Sequence, residues 1–503
     1  MNLASTKGAQ SASGRGGLDR SAATTHGQLE RNALGVADVV FLVLAAVAPL
    51  TGIVVVAALA IALGNGGGAA ASFIIVAIIL LFFAVGYAQM SKQLVNAGGF
   101  YAFVVKGLGR SGGLVAGLIA TMGYNFFVVG TIGTSGFFTQ TIVAELTGFD
   151  MHWYLWGLLS IVASFVFARQ GIGFSAKILG LSLILETLIL LVFDFAVLFR
   201  HGLSFQAFTP GAVFSGSIGI GLLLAGTGFL GFEATSLFSE EAKDPLRTIP
   251  RATYAAICAI GFILGFTTWA VVSATGVAEA QQTGMAHLEA GDLIFSLSAD
   301  YLGAALTNVM MVLLLVSLFA AMLAFHNSAT RYLFSLGRAR VLPYGLARTR
   351  SNGVPQTAGI VQAVFATAVA GAFALAGLEP IATLVPSMLG FGTLCILVLQ
   401  LLAAVSIVVY FRRTHDPRWW RTFIAPGIGA LGLLGISTMA ILNFSIVAGS
   451  EALLVNLLPL LLLVALVGGV FYGFYLRSNK PEVYAGLADD LEKFNETLAA
   501  GAR

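Results

Sequence analysis

The sequence places ionisable side chains inside segments that are otherwise apolar enough to cross a bilayer. Glu233 follows three glycines in GTGFLGFE (residues 226–233), and Lys177 lies near the start of another apolar run at residues 174–199. An ionisable group in hydrocarbon is costly unless it is paired, protonated or wetted, so it marks a ligand or ion pathway. These residues therefore predict binding of a charged solute, and proton exchange.

Each of these residues also has a simpler structural interpretation. A lysine about one turn inside a span can extend its amine to the membrane surface. A buried glutamate such as Glu233 can tie a loosened helix to its neighbour, and Glu186 and Asp194 are interpreted mainly as ties of this kind. Lys177 and Glu186 lie about half a turn apart around one helix, so they are not expected to pair. His326 is interpreted as a packing histidine.

The composition is that of a membrane protein. Of 503 residues, 58% are hydrophobic and 10% are charged, against about 25% charged in ordinary soluble domains. Twelve apolar runs are each long enough to cross about 30 Å of hydrocarbon as an α-helix. They cover residues 36–63, 70–91, 114–142, 153–168, 174–199, 217–239, 254–276, 303–330, 358–377, 383–411, 424–448 and 453–476. The predicted fold class is an all-α polytopic membrane protein embedded in a lipid bilayer.

The basic residues lie almost entirely on one side of these spans. Of the 26 Lys and Arg residues, only Arg200 falls in a predicted external loop and only Lys177 within a span. Cytoplasmic loops carry the excess of Lys and Arg, so both termini are predicted to be cytoplasmic, in a plasma (cell inner) membrane. The charges are explained by topology, and neither a nucleic-acid partner nor an obligate protein partner is inferred.

Two of the spans are interrupted near their centres. The first contains AAVAPLTGIV, where Pro49 removes a backbone donor and Gly52 follows closely. The sixth contains Gly226, Gly228 and Gly231. Breaks five spans apart predict two five-helix repeats, helices 1–5 and 6–10, followed by helices 11 and 12. Unpaired peptide groups at this depth are tolerated where they line a cavity, although close helix packing is an alternative use of the glycines.

An amino acid suits a pair of broken helices because it carries both charges. Amide groups at a half-helix end favour a carboxylate, and freed carbonyl groups favour an ammonium. The predicted substrate-binding residues are Ala48, Pro49, Thr51, Gly52, Gly226, Thr227, Gly228, Phe229, Gly231 and Glu233. Tyr124 and Asn125 in the third span could also line the cavity, or hydrogen-bond between helices.

Four motifs resemble those of the amino acid–polyamine–organocation (APC) permeases. GFLGFEATSLFSEEAKDPLRTIPRA (228–252) is similar to the sixth-helix signature of that family. NAGGFYAFV (96–104), GFSAKILGL (173–181) and NSATRYLFSLGRARVLP (327–343) are similar to the segments after helix two, at the start of helix five and at the end of helix eight. The resemblance spans roughly residues 30–410 and implies a LeuT-like inverted repeat with discontinuous helices 1 and 6.

The sequence departs from many members of that family at both breaks. Many carry Gly-Ser/Thr-Gly where this chain has the stretch PLTG at residues 49–52, and many carry an aromatic gate where this chain has Thr227. Phe229 is the candidate replacement for that gate. Some members use a lysine at the position of Lys177 to contact the first helix. Burial favours the uncharged form of an ammonium group, so we expect Lys177 to couple transport to protons, and the intramembrane carboxyl group of Glu233 is a second candidate for this role.

A cluster of charges is predicted just outside the sixth span on the cytoplasmic side. It comprises Glu240, Glu241 and Arg331, and we expect it to act as a cytoplasmic gate, with solvated loop charge as the alternative. The predicted organisation is a disordered N-terminal tail (1–30), a transport core (31–411), helices 11 and 12 (412–476) and a cytoplasmic C-terminal tail (477–503).

These features predict a secondary transporter of amino acids or related amines that works by alternating access, with proton-coupled symport or exchange. A carrier of the same architecture for a nucleobase or another organic solute is the alternative. A polytopic membrane enzyme is a remote one, because the sequence contains no phosphate loop, nucleophile constellation or metal-spaced cluster. No cofactor and no metal are expected.

Overall fold

The computed structural model describes residues 34–94, 99–169, 172–233, 235, 239, 242–350, 354–448 and 452–487. Within residues 172–179 it describes the helix but not the side chains. The predicted N-terminal tail, residues 488–503 of the C-terminal tail, and Glu240 and Glu241 of the predicted gate lie outside this part of the chain. The described residues are helical apart from turns and one isolated backbone bridge between Leu34 and Ala242.

The main helices are numbered in chain order. The helix α1 is Val36–Val47, and α2 is a helical rod built from Pro49–Thr51, Gly52–Ala57 and Ala60–Asn65. The others are α3 (Ala69–Met90), α4 (Gly99–Thr147), α5 (Trp153–Ala168), α6 (Ile172–His201), α7 (Ile218–Thr227), α8 (Pro245–Thr275), α9 (Leu293–Leu302), α10 (Ala304–Arg338), α11 (Gln356–Leu375), α12 (Val385–Arg413, preceded by Pro380–Leu384), α13 (Ala425–Leu442, preceded by Trp420–Ile424) and α14 (Leu458–Asn479).

Short helical turns lie between these helices or follow the last of them. They are Gly66–Gly68, Phe205–Phe208, Pro210–Val213, Ala280–Ala286, Tyr344–Ala347, Phe444–Ala448, Leu453–Asn456 and Pro481–Gly486. Most of them lie between consecutive membrane-spanning helices, and together with the loops they tie the ends of those helices to one another.

Each of the twelve predicted spans contains a helix in the described residues, which confirms a multi-pass membrane protein. In the described residues, nine helical segments are long and apolar enough to cross a membrane. The number is below twelve because the first two predicted spans follow one another so closely that they count as one 55-residue segment, Val36–Met90, although Ala48 and the turn at Gly66–Gly68 interrupt it. In addition, the fourth and sixth spans contain shorter helices of 16 and 10 residues.

The helices that surround the site come from both halves of the chain. The long helix α4 packs along α12 and α10, and α2 packs against α7. The approach of α2 to α7 is close enough to require glycine, because a Cβ on Gly64 would lie 2.7 Å from the Cα of Gly221. The second half of the first span and the first half of the sixth are therefore in direct contact.

Both ends of the two broken spans are tied by hydrogen bonds. At one end, Asn65 Nδ2 donates to the carbonyl of Val213 at 3.0 Å, and Ser217 N–H donates to the carbonyl of Gly64 at 3.0 Å. At the other end, Lys243 N–H donates to the carbonyl of Leu34 at 2.9 Å, just before α1 begins. The space between the breaks is consequently bounded at both ends.

Candidate functional site

The first break falls at Ala48. This residue has φ 51° and ψ 75°, a left-handed conformation that ends α1 after Val47 and redirects the chain into α2. For an L-residue with a Cβ this conformation costs about 1–2 kcal/mol. Pro49 follows as the first residue of α2, where its missing N–H is not needed for the helix. The break predicted from Pro49 is therefore present, one residue earlier than the proline.

The amide groups at the start of α2 are satisfied by the protein itself. Leu50 N–H donates to Glu186 Oε2 at 3.4 Å, and Thr51 N–H donates to Ser317 Oγ at 3.3 Å. Gly52 N–H donates to the carbonyl of Ala48 at 2.9 Å. We expected these amides to meet a substrate carboxylate, whereas in this structure a carboxyl group from α6 and a hydroxyl from α10 occupy them.

Glu186 connects three helices. Its Oε1 accepts from Ser182 Oγ at 2.6 Å within α6, and its Oε2 accepts from Ser317 Oγ of α10 at 2.7 Å. The same Oε2 accepts the Leu50 amide, and only 2% of the residue is exposed. The carboxyl group thus connects neighbouring helices, as predicted for Glu186. One of these connections is to the Leu50 amide at the first break.

The second break follows the last residue of α7, Thr227. The chain then makes tight turns, with Phe229 N–H bonded to the carbonyl of Gly226 and Leu230 N–H bonded to that of Thr227, both at 3.1 Å. Gly231 has φ 113°, a value that residues with a Cβ rarely adopt. The glycine-rich sequence is therefore used to end the helix rather than only to pack it.

A second carboxyl group occupies this break. Glu233 Oε2 accepts from Gly231 N–H at 2.9 Å, and Glu233 Oε1 accepts a hydrogen bond from the hydroxyl of Tyr124 on α4. Tyr124 also stacks on Tyr332 of α10, with ring centroids 5.3 Å apart. Glu233 and Tyr124 are each 4% exposed. Tyr124 thus contacts the second break through its hydroxyl.

A cavity of about 40 Å³ lies between the two breaks. That is space for on the order of three water molecules. Its walls come from α1, α2, α4, the turn after α7, α10 and α12. The lining residues are Val47, Thr51, Gly52, Val55, Val56, Phe127, Thr131, Thr134, Ser135, Thr227, Gly228, Leu230, Leu318, Ala321, Phe325 and Leu389.

The chemistry of this lining is apolar with a few hydroxyl groups. No charged side chain is among the lining residues that the structure describes. Thr131 and Thr134 donate to carbonyls of their own helix, each at 2.8 Å. Thr227 Oγ1 lies within hydrogen-bond distance of the carbonyl of Leu223 and of Thr393 Oγ1. In the described part of this lining, Ser135 alone has a buried hydroxyl without a partner.

Some of the predicted site residues line the cavity, and the others form the breaks or lie behind the cavity wall. Thr51, Gly52, Thr227 and Gly228 line the cavity. The others form or support the breaks, or lie behind the cavity wall: Ala48, Pro49, Gly226, Phe229, Gly231, Glu233, Tyr124 and Asn125.

Two of these placements bear on the predicted gate and lining. The Phe229 ring lies next to Gly261 of α8, where an added Cβ would be 3.6 Å from Phe229 Cζ. The side chain of Asn125 bonds within α4, with Nδ2 donating to the carbonyl of Thr121 at 2.7 Å. Two aromatic rings that do line the cavity are Phe127 and Phe325, whose centroids are 4.3 Å apart.

The charged residues predicted for coupling and gating are only partly described. Lys177 lies in α6, but its side chain is outside the described part of the chain. Arg331 lies in α10, whereas its predicted partners Glu240 and Glu241 are outside it. Asp194 and His326, predicted to be structural, contact Thr267 of α8 and Gln362 of α11 at 2.8 and 2.5 Å.

Sequence reasoning missed the residues that α4 and α10 bring to the site. The hydroxyl-bearing residues of α4 that line the cavity lie in the stretch GTIGTSGFF (130–138), and Ser317 is a single polar residue within LLLVSLFAAM (313–322). A small polar residue in the middle of an apolar span is a usable signal, because its hydroxyl needs a partner there. That signal could have identified Ser135 and Ser317.

Comparison with known proteins adds a family and two long matches. The chain matches the family described as "Amino acid permease" over residues 34–470. It is 24% identical over 380 residues to the branched-chain amino acid permease BcaP of Lactococcus lactis subsp. cremoris, covering 70% of this chain and 77% of that protein. It is 26% identical over 379 residues to the branched-chain amino acid permease BcaP of Bacillus subtilis, covering 71% and 76%.

A third match is shorter. The chain is 27% identical over 144 residues to the histidine permease HisP of Lactococcus lactis subsp. cremoris, which covers 28% of this chain and 29% of that protein. The two proteins matched over most of their length are thus named for branched-chain amino acids, and the third is named for histidine.

Proposed function

The chain belongs to the amino acid permease family and is an amino acid transporter, and we propose that its substrates are amino acids with branched aliphatic side chains. The observation that carries this proposal is the cavity between the two breaks. Its walls include Val55, Val56, Leu318 and Leu389 but no charged side chain in the described lining. An aliphatic side chain gains free energy by leaving water for such a surface, whereas a charged side chain loses it. Both BcaP relatives carry the same substrate class in their names.

The polar end of the substrate needs donors and acceptors in the same cavity. Ser135 has a buried hydroxyl without a partner and is only 2% exposed. A buried polar group without a partner costs free energy, so a ligand that supplies the partner is favoured. We assign the Ser135 hydroxyl as a donor to the substrate carboxylate.

Transport by alternating access is the second part of the proposal. The cavity of about 40 Å³ is far smaller than the roughly 300–1,000 Å³ of ordinary ligand sites. Its walls must therefore separate to admit an amino acid. The hydrogen bonds of Asn65 at one end and of Lys243 at the other are the contacts that must open in turn. We also propose a plasma-membrane carrier with both termini in the cytoplasm, which the one-sided distribution of Lys and Arg supports.

Proton coupling through Glu233 and Lys177 is the third part. Glu233 is buried, and it is bonded both to the Gly231 amide and to Tyr124. A proton bound or released there changes the bonds that hold the second break, so it can be linked to the opening of the cavity. We retain Lys177 as the second coupling residue on the grounds of its position within α6.

Uptake by the purified chain in proteoliposomes tests the substrate class. Labelled leucine is expected to accumulate, and unlabelled isoleucine and valine are expected to compete with it. Putrescine, histidine and uracil are expected to compete poorly. The proposal fails if leucine is not taken up, or if a polyamine or a nucleobase competes better than isoleucine does.

A pair of variants on α10 shows whether the cavity is the binding site. Ala321 lines the cavity, whereas Val312 is 50% exposed on the outer surface of the same helix. Ala321→Phe fills the cavity and is expected to lower leucine uptake by about ten-fold or more, since overpacking costs about 1–3 kcal/mol. Val312→Phe is the matched control and is expected to keep uptake. Equal uptake by both variants would place the site elsewhere.

Coupling is tested with the same vesicles. A pH gradient, acid outside, is expected to drive leucine uptake by the wild type above the level set by exchange. Glu233→Gln and Lys177→Ala are expected to abolish this gradient-driven component. Unchanged gradient dependence in both variants would remove these residues from the coupling step.

A further inference from the structure

Three oxygen atoms in a row connect the cavity with the buried carboxyl group of α6. Thr51 Oγ1 lies 2.9 Å from Ser317 Oγ, and Ser317 Oγ lies 2.7 Å from Glu186 Oε2. Thr51 lines the cavity, whereas Glu186 is not among the lining residues. Glu186 therefore reaches the cavity through the two hydroxyl groups, in addition to its bond to the Leu50 amide at the first break.

The direction of these hydrogen bonds is fixed at Ser317. A hydroxyl group has one proton and two lone pairs. Ser317 Oγ accepts the Thr51 amide at 3.3 Å, and it donates its own proton to Glu186 Oε2, which also accepts the Leu50 amide. The lone pair that remains on Ser317 can only accept a proton, and Thr51 Oγ1 supplies it.

The direction at Ser317 decides what Thr51 offers to the cavity. Because the Thr51 proton is committed to Ser317, the Thr51 hydroxyl can present only lone pairs to a substrate. We propose that Glu186 is a positioning residue for substrate recognition, which through Ser317 holds Thr51 as the hydrogen-bond acceptor for the substrate ammonium group. This inference rests on the proposed function, since the ammonium group is that of a transported amino acid.

The arrangement assigns a specificity to the site. An acceptor at Thr51 favours an α-amino acid over the α-keto acid with the same side chain, because the keto acid has no N–H to donate. The discrimination does not require a negative charge in the cavity. It requires only that Glu186 Oε2 continue to accept a proton from Ser317.

Substitutions of Glu186 and Ser317 have different expected effects on the Thr51 hydroxyl group. In Glu186→Gln the side-chain oxygen can still accept from Ser317 and Leu50 while the amide NH2 turns to Ser182, which can accept. In Glu186→Leu the acceptor is lost, so Ser317 can return its proton to Thr51. The Thr51 proton can then point into the cavity. Ser317→Ala frees the Thr51 proton directly.

Competition against labelled L-leucine in proteoliposomes tests the proposal. The measured quantity is the ratio of the inhibition constants of the α-keto acid of leucine and of unlabelled L-leucine. Wild type and Glu186→Gln are expected to give the same ratio. Glu186→Leu, Ser317→Ala and Thr51→Val are expected to lower it by about ten- to hundred-fold, as loss of a hydrogen bond to a charged group does.

Ser182→Ala is the matched control. It removes the other hydroxyl bonded to Glu186 but not the connection to Thr51, so the ratio is expected to stay at the wild-type value. The double variant Thr51→Val with Ser317→Ala is expected to be no worse than Thr51→Val alone, because both changes remove one contact. A merely structural role of Ser317 would instead give additive losses.

The outcomes separate this inference from the proposed function. If the wild type takes up no leucine, the substrate class is wrong. If leucine is taken up and Ser317→Ala and Glu186→Leu keep the wild-type ratio, the positioning role of Glu186 is wrong. Should those two variants fail to fold, Thr51→Val decides, because it keeps the shape of the side chain, and an unchanged ratio in that variant overturns the proposal.

Discussion

The two breaks solve the same physical problem with carboxyl groups from different places. At the first break the Leu50 amide is held by Glu186, which lies 136 residues away in the sequence. At the second break the Gly231 amide is held by Glu233, only two residues away. Each carboxyl group is then bonded to a hydroxyl of another helix, Ser317 in one case and Tyr124 in the other.

The position of the carboxyl acceptor determines how each break is expected to respond to a substrate. The acceptor of the second break belongs to the broken segment itself and moves with it. The acceptor of the first break belongs to α6, so α2 can leave it behind when the helices move. A proton that acts at Glu233 is therefore expected to change a bond within the broken segment and a bond to Tyr124 of α4, whereas opening at Glu186 is expected to separate α2 from α6.

The largest expected effect is on the backbone of the second break. Gly231→Ala forces a Cβ into a φ of 113°, at a cost of about 1–3 kcal/mol. We expect leucine uptake to fall by about ten-fold or more, with a lower melting temperature. Gly226→Ala is the control, because an added Cβ there meets only side-chain atoms at 3.6 Å or more. Equal behaviour of the two variants would show that the conformation of Gly231 does not matter.

Replacement of the carboxyl group at the second break by an amide is expected to have the next largest effect. In Glu233→Gln only one of the two side-chain atoms is still an oxygen that can accept. If the NH2 group faces Gly231, two donors meet, and if it faces Tyr124, the tyrosine hydroxyl must accept instead of donate. An unsatisfied buried group costs about 1–3 kcal/mol, so thermal stability and uptake should both fall. Tyr124→Phe leaves the Gly231 bond in place and should lose less than Glu233→Gln. The reverse order would contradict this account of the second break.

A stabilising change is expected at the first break. Ala48 has a left-handed conformation that glycine adopts readily, so Ala48→Gly should raise stability by about 0.5–1 kcal/mol after the entropy of the unfolded glycine is included. Thermal unfolding in detergent measures this change. It has the opposite sign to that of Gly231→Ala, and a destabilised Ala48→Gly variant would show that the strain is absent.

The smallest effect is expected at a carboxylate outside both breaks. Arg418 bonds to both carboxylate oxygens of Asp416 in the loop after α12 and lowers the pKa of Asp416 from its ordinary value. A carboxyl group whose pKa is lower in the folded chain stabilises that chain above its unfolded pKa, and the contribution is lost as the pH falls through the folded pKa.

The melting temperatures of wild type and Asp416→Asn should therefore differ slightly at neutral pH and converge below about pH 4. A difference that grows as the pH falls would contradict the sign of this linkage. The Asp416 series also provides a baseline for a carboxylate in a loop, against which the two carboxyl groups buried at the breaks can be compared.

The architecture and the second break could be predicted from local sequence. Run lengths predicted the twelve helices, and the proline and glycines predicted both interruptions, because each of these signals lies within one helix. Glu233 was identifiable since it follows the glycines directly. Whether it binds substrate or carries a proton stays a prediction.

The contacts of the first break could not be predicted in the same way. Leu50, Glu186 and Ser317 lie on three helices, and only tertiary packing determines which residues of those helices face one another. The orientation of Phe229 towards α8 also depends on packing, since the turn after Thr227 sets its direction. Local spacing carries no information on either point.

The bond between Lys243 and Leu34 has a mechanical consequence. It couples the start of α1 to the chain that follows the second break, while Asn65 and Ser217 couple the opposite ends of the same two spans. The first span is thereby linked to the sixth at both of its ends, through Leu34 and Lys243 on one side and through Gly64, Asn65, Val213 and Ser217 on the other. We expect the two linked spans to tilt together, so that a movement that opens the cavity on one side of the membrane closes it on the other.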